Sequence, residues 1–254
     1  MIGRRALAGA LLALFAGSLA LYIATIAPGI TWRNEGGDGG DFLTAAFRAG
    51  VPHPTGYPTY ILGLRLFAWA VPIGDEAFRG NLFSAVTAAL AVPFVFLAAR
   101  ALLERLPEAT SAGRLASFIF ATVGAIAFAV SSVFWSQATI TEVYALNTLF
   151  TAALLWLALE VRARTDAGRP AAMPLSLAGL LFGLGMGNHV TLALVAGPFL
   201  VWVYWPALKA REWRKVPLVR PALALLLGLS VYIYVPVASA GQPVLSWGHP
   251  HTWE

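Results

Sequence analysis

The sequence predicts an all-α polytopic membrane protein, and three observations carry the prediction. Of its 254 residues, 59% are hydrophobic and only 11% are charged, with a mean hydropathy of +0.73. A soluble domain carries about 25% charged residues and about 45–50% apolar ones, and no interior of this size holds the excess. The apolar residues also fall in runs close to the length of about 20 that a transmembrane helix needs. Finally, the basic residues sit between those runs. The formal net charge of +5 is therefore loop charge, and no nucleic-acid partner is expected. The chain has no cysteine, which removes disulfides, thiolate nucleophiles and thiolate metal sites.

The first run, Ala6 to Ala27, follows Arg4 and Arg5. It exceeds the apolar core of about 7–15 residues found in cleaved signal peptides and reads as an uncleaved anchor. The stretch Tyr57–Ile73 has Arg65 at its middle, where a charge costs about 2.5–3.5 kcal/mol on insertion scales. The later runs are Leu82–Ala99, Leu115–Trp135, Val143–Leu159, Leu175–Trp205 and Ala222–Ala238.

Basic residues cluster at Arg4/Arg5, Arg100/Arg105/Arg114, Arg162/Arg164/Arg169 and Lys209/Arg211/Arg214/Lys215/Arg220. The positive-inside rule places all of them in the cytoplasm. The chain then crosses an even number of times between Arg5 and Arg100, so Tyr57–Ile73 lies at the outer interface or re-enters. By the same parity, Leu175–Trp205 goes out and returns, turning at Gly187-Asn188-His189. The expectation is a seven-span module over residues 1–254, with the N-terminus cytoplasmic and interfacial helices in an outer loop at 28–80.

The polar residues outside the spans carry the candidate chemistry. Asp38 and Asp41 stand among four glycines in Gly36-Gly37-Asp38-Gly39-Gly40-Asp41. Asp41 reads as the cap of a helix from Phe42 to Gly50. Asp38 has glycines on both sides, which admit close approach of a substrate, and its carboxylate can take a proton from an acceptor hydroxyl. His53-Pro54-Thr55-Gly56-Tyr57-Pro58 is either a stiff turn or a place where His53 meets a ligand. Arg79 faces lipid phosphate or a bound phosphate. Trp135 and Tyr144 fit an aromatic belt, whereas Gln137, Glu142 and Asn147 are polar groups that face a cavity or a partner. Asn188-His189 leaves three readings open: a satisfied core histidine, a phosphate contact or a metal ligand. No His–carboxylate spacing matches a metal signature.

Taken in order, these motifs resemble one family. They are Gly37-Asp38-Gly39-Gly40-Asp41, His-Pro-Thr-Gly-Tyr-Pro, Arg79 with Asn81, Trp-Ser-Gln-x-x-x-x-Glu-Val-Tyr-x-Leu-Asn, Gly-Asn-His, and Ser246-Trp247-Gly248-His249-Pro250. The chain is similar to the membrane family called domain of unknown function 2723, grouped with protein O-mannosyltransferase-like enzymes of glycosyltransferase family 117. Asp41 stands where that family often has Glu, Gly39 where it often has Ser, and Thr55 where Pro is common. Family members continue past the Trp-Gly-x-Pro loop, which implies that this chain is truncated at its C-terminus.

The resemblance implies a GT-C-like module of seven spans with amphipathic juxtamembrane helices in the first outer loop. It implies an inverting glycosyltransferase that moves a sugar from a polyprenyl-phosphate donor, at the non-cytoplasmic face, to a protein or glycan acceptor. Asp38 is then the base, with Asp41 beside it. His53, Arg65, Arg79, Gln137, Glu142, Tyr144, Asn188, His189 and Trp247 bind substrate or phosphate. Membrane lipids are the other partner, and no cofactor or metal is implied. The rival readings are a transporter of lipid-linked sugars and a non-catalytic subunit that binds them.

Overall fold

The computed structural model describes residues 3–106, 111–209 and 218–252. Arg211, Arg214 and Lys215 of the last basic group lie outside the described residues. The elements are helical throughout, apart from one isolated parallel bridge between Val51 and Ser246. Among the described residues, four helices are long and apolar enough to cross a membrane, or five when one bent pair counts as a single span. The chain is thus an all-helical membrane protein. It divides into two compact units.

The first unit comprises residues 1–43 and 64–156. Its long helices are α1 (Arg4–Ala24), α4 (Glu76–Leu103), α5 (Ser111–Ala129) and the start of α7 (Tyr144–Asp166). Asp75 starts α4 by accepting the Phe78 N–H at 2.7 Å, the satisfied N-cap that a helix entry requires. The core packs small residues against aromatics: Ala85, Ala88, Ala89, Ala121 and Ala125 surround Phe96 and Tyr22. Small side chains let membrane helices approach closely where no hydrophobic effect drives them together. The Tyr22 hydroxyl donates to the Ala129 carbonyl at 2.9 Å, and its ring meets Phe134 edge to face at 6.2 Å.

The Leu115–Trp135 run is not one straight helix. α5 gives way to α6 (Ser132–Ala138) with a 62° bend. Ser131 between them is extended, at φ −63° and ψ 136°, and its hydroxyl donates to the Phe128 carbonyl at 2.8 Å. A serine that serves the last turn of one helix while standing outside the next explains the break.

α3 (Pro58–Ala70) has 13 residues, about 20 Å at 1.5 Å per residue and short of a bilayer core of about 30 Å. Arg65, Leu66 and Trp69 are exposed on it. α2 (Gly39–Arg48) begins ahead of the expected Phe42. Asp41 is therefore not the N-cap; it lies inside the first turn, where a carboxylate favours the helix dipole.

The second unit comprises residues 44–63 and 157–254. α8 (Ala172–Met186) packs on α10 (Val219–Leu229), which continues through a 3₁₀ turn into α11 (Tyr234–Ala240). The crossing is built on glycine. A Cβ on Gly228 would stand 2.5 Å from the Leu180 carbonyl oxygen, and one on Gly183 would run into the Leu225 carbonyl. Leu223, Leu226, Leu227, Ile233 and Val237 are exposed, as residues facing lipid should be. The Leu175–Trp205 run breaks where expected: α8 ends at Met186, a 3₁₀ turn covers Val190–Leu192, and α9 (Ala193–Lys209) follows.

Candidate functional site

In the first unit the chain leaving α1 is folded back by its own polar groups. Asn81 on α4 donates to the carbonyls of Ala27 and Gly29 at 2.9 and 3.1 Å and accepts from the Thr141 hydroxyl at 2.7 Å. Asn81 is 2% exposed, so these bonds replace water altogether. The Ala27 N–H also donates to Thr139 O at 3.0 Å. One buried amide thus joins α4, the exit from α1 and the segment that follows α6.

On that base sits a 3₁₀ turn, Arg33–Asp38, with Asn34 and Glu35 left-handed at φ 59° and 63°. Gly36 has no alternative there, since a Cβ would lie 2.5 Å from the Thr31 carbonyl oxygen. The Gln137 amide donates to Asn34 O at 2.9 Å. Gly39 runs close by Thr141, whose carbonyl oxygen would stand 3.3 Å from a Cβ. Asp38 ends this turn with an exposed side chain, and Asp41 is half-buried one turn on.

Behind Asp38 lies Glu142, only 2% exposed. Its Oε2 accepts the Val143 N–H at 3.3 Å, and the carboxylate also accepts the Asp38 backbone N–H. Oε1 makes no hydrogen bond. Burial pushes the carboxyl up to about 7; the Asp38 carboxylate adds to the rise, and the two backbone N–H groups oppose it. Glu142 therefore titrates near neutrality.

Tyr144 lies within electrostatic reach of Glu142, Asp38 and Glu35. It lines a groove of about 480 Å³ together with the polar Glu35, Gln137, Ser131 and Thr148 and the apolar Phe128, Val133 and Phe134. Such a mixed cleft suits a ligand with a polar head and an apolar body. Arg79 donates to Asp75 O at 3.2 Å and Ala68 O at 3.4 Å, which closes the end of α3. Arg65 is exposed on α3.

The second unit gathers the remaining expected residues. His53 Nε2 and the Tyr57 hydroxyl are 3.1 Å apart, and the Tyr57 ring stands 6.2 Å from that of His189. His189 caps the 3₁₀ turn Val190–Leu192, its Nδ1 accepting the Thr191 N–H at 3.3 Å and lying 2.7 Å from the Thr191 hydroxyl. Burial lowers its pKa. The ring is then neutral at physiological pH, with Nδ1 the acceptor and Nε2–H the donor. Asn188 is fully buried. Thr59 ties this break to the start of α3, donating from its hydroxyl to Leu184 O at 2.6 Å and from its N–H to Gly187 O at 2.9 Å. Trp247, 53% exposed, donates its N–H to Val51 O at 3.1 Å, two residues before His53.

The first unit thus assembles Asp38, Gln137, Glu142 and Tyr144, and the second assembles His53, Asn188, His189 and Trp247. Sequence reasoning missed Ser84 and Thr141. Ser84 exchanges hydrogen bonds of 3.4 Å with the Glu142 backbone. Thr141 had a signal, since it stands next to Glu142 in the motif. Ser84 had none. Among the described residues no group of three or more His, Cys, Asp or Glu could hold a metal ion.

The chain is similar to known proteins. Residues 38–214 match the family described as the protein O-mannosyl-transferase TMEM260 N-terminal domain. The chain is 30% identical over 241 residues to protein O-mannosyl-transferase TMEM260 of Mus musculus, covering 94% of this chain and 32% of that protein. It is 24% identical over 250 residues to protein O-mannosyl-transferase tmem260 of Dictyostelium discoideum, covering 94% of this chain and 29% of that one. The chain thus spans about a third of the length of these curated relatives. No solved structure matches it significantly.

Proposed function

The chain belongs to the TMEM260 N-terminal domain family of protein O-mannosyl-transferases, and from that premise we propose that it carries the catalytic module of a membrane glycosyltransferase that transfers mannose. The donor is a polyprenyl-phosphate sugar and the acceptor a hydroxyl on a protein. Transfer is a single displacement with inversion, at the non-cytoplasmic face of a single seven-span module whose N-terminus is cytoplasmic.

The observation that carries this reading is an exposed Asp38 within electrostatic reach of Tyr144, which lines a cleft of polar and aromatic residues. Asp38 accepts the proton of the acceptor hydroxyl as the bond to the sugar forms. The departing lipid phosphate needs positive charge or hydrogen-bond donors. Arg65 and Arg79 supply the first; the neutral Nε2–H of His189 supplies the second. His53 and Trp247 contact substrate, while Asn188, fully buried, acts by supporting the break that presents His189. Phe128, Val133 and Phe134 take the isoprenoid tail, where each buried CH₂ contributes about 0.8 kcal/mol. Asp41 acts through the first turn of α2 and not on the substrate.

The test incubates the purified full-length protein with radiolabelled polyprenyl-phosphate mannose and an acceptor peptide rich in Ser and Thr. Transfer of label supports the enzyme. Saturable binding of the donor without transfer, even after acceptor peptides are varied, replaces it with a transporter or a non-catalytic subunit.

A further inference from the structure

A carboxyl buried beside another carboxylate is costly, so a residue such as Glu142 calls for a compensating role. It is almost wholly buried, and burial and Asp38 both disfavour its ionised form. In return it accepts two backbone N–H groups. One belongs to its own neighbour, Val143. The other is that of Asp38, far away in sequence.

The remaining supports of the Arg33–Asp38 turn act elsewhere along it. Gln137 holds Asn34 O. Gly36 is pressed against Thr31, and Gly39 packs on Thr141. The N–H of Asp38 itself is engaged by Glu142. The segment carrying Glu142 is in turn immobilised by Asn81 on Thr141 and by Ser84 on the Glu142 backbone.

We propose that Glu142 is a positioning residue for Asp38: its buried carboxyl seats the Asp38 backbone N–H and thereby fixes where the exposed Asp38 side chain points. This rests on Asp38 being the base. Ionised Glu142 is the stronger acceptor for that N–H. The titratable groups facing it are Asp38 from the 3₁₀ turn and Tyr144 from α7, with Glu35 acting on Tyr144, while α4 presents the neutral Asn81 and Ser84. Deprotonation of Glu142 near neutral pH therefore raises turnover.

The experiment compares wild type, Glu142→Ala and Glu142→Gln in the full-length protein in lipid nanodiscs. Hydrogen exchange is followed at constant pH in the peptide covering residues 33–41, together with kcat/KM from pH 5.5 to 8.5. Glu142→Ala should accelerate exchange in that peptide by about tenfold or more, as expected when a hydrogen bond to a charged group is lost, with α5 unaffected. Glu142→Gln retains one acceptor oxygen. It should restore most of the protection but abolish the rise in kcat/KM through pH 7. Unchanged exchange in a folded Glu142→Ala protein overturns the proposal. If that variant does not fold, the Gln variant decides, and a wild-type pH profile in it is equally fatal. Near-normal turnover in Asp38→Asn instead overturns the assignment of the base, and it leaves the exchange pattern of the Glu142 variants in place, so the two failures are told apart.

Discussion

Stability should fall as pH rises through the range where Glu142 ionises, and Glu142→Gln should remove that dependence. The carboxyl is held at about 7 in the folded protein against an ordinary value of 4.5. Between these values the folded state binds more protons than the unfolded one. The slope of unfolding free energy with pH is then negative. The contribution of neutral Glu142 is complete below pH 4.5, is lost progressively up to about 7, and is flat above. At 1.36 kcal/mol per pH unit, the whole effect is about 3 kcal/mol. For a chain of this size that corresponds to roughly 6–12 °C in melting temperature.

The Gln side chain resembles the protonated acid in shape and carries no charge to desolvate. The variant should therefore match wild type near pH 5 and exceed it near pH 8. Thermal unfolding in detergent, followed by circular dichroism at both pH values, measures the difference. Curves for variant and wild type that stay parallel across the range would refute the reasoning, because Glu142 would then ionise equally easily folded and unfolded.

Further substitutions separate chemistry from packing. Asp38→Asn should lower turnover by about 10²–10⁴-fold, the usual contribution of a general base, with donor binding and melting temperature nearly unchanged. Asp41→Asn should cost about 0.3–1 kcal/mol of stability, a first-turn dipole effect, and leave turnover largely intact; a larger rate loss at Asp41 than at Asp38 would exchange their roles. Asn81→Ala exposes the carbonyls of Ala27 and Gly29 and the Thr141 hydroxyl without partners, at about 1–3 kcal/mol each when they stay buried, and should be seen as a lower melting temperature. Gly183→Val should disrupt the α8–α10 crossing, where a Cβ already meets backbone, and overpacking costs about 1–3 kcal/mol or more. Gly9→Ala, whose Cβ meets nothing within 4 Å, is the neutral control in the same unfolding assay.

Hydropathy made the long helices legible because a bilayer imposes one length on all of them. α1, α4 and α7 follow the runs Ala6–Ala27, Leu82–Ala99 and Val143–Leu159. Charge parity contributed the reading of Tyr57–Ile73, whose helix is indeed too short to span. The polar pair Asn188-His189 marked the break after Met186, since neither side chain suits a helix interior in lipid.

The bend at Ser131 was invisible for the opposite reason. Both flanking segments are apolar, and a serine can satisfy its own hydroxyl on the preceding turn without interrupting the hydropathy. The start of α2 was misplaced because glycine is a poor helix former, so Gly39 and Gly40 read as loop. The structure makes them the first turn, where Gly39 is needed for its close approach to Thr141.

Burial of individual polar groups was the least legible property, and it is the one that divides the labour at the candidate site. The glycines flanking Asp38 mark it for close approach of a substrate, but nothing in the neighbours of Glu142 along the chain shows that its carboxyl is buried. The distinction arises only when Thr141 docks on Asn81 and the Glu142 backbone on Ser84. That docking turns the Glu142 side chain inward against the Asp38 backbone and leaves the Asp38 side chain exposed. A carboxylate can act on a substrate only if the substrate can reach it. A carboxyl that water cannot reach can act only through what it holds. The same residue type therefore serves as reactive group at one position and as support at the other, and what separates the roles is a hydrogen-bonded threonine next to Glu142 in the chain.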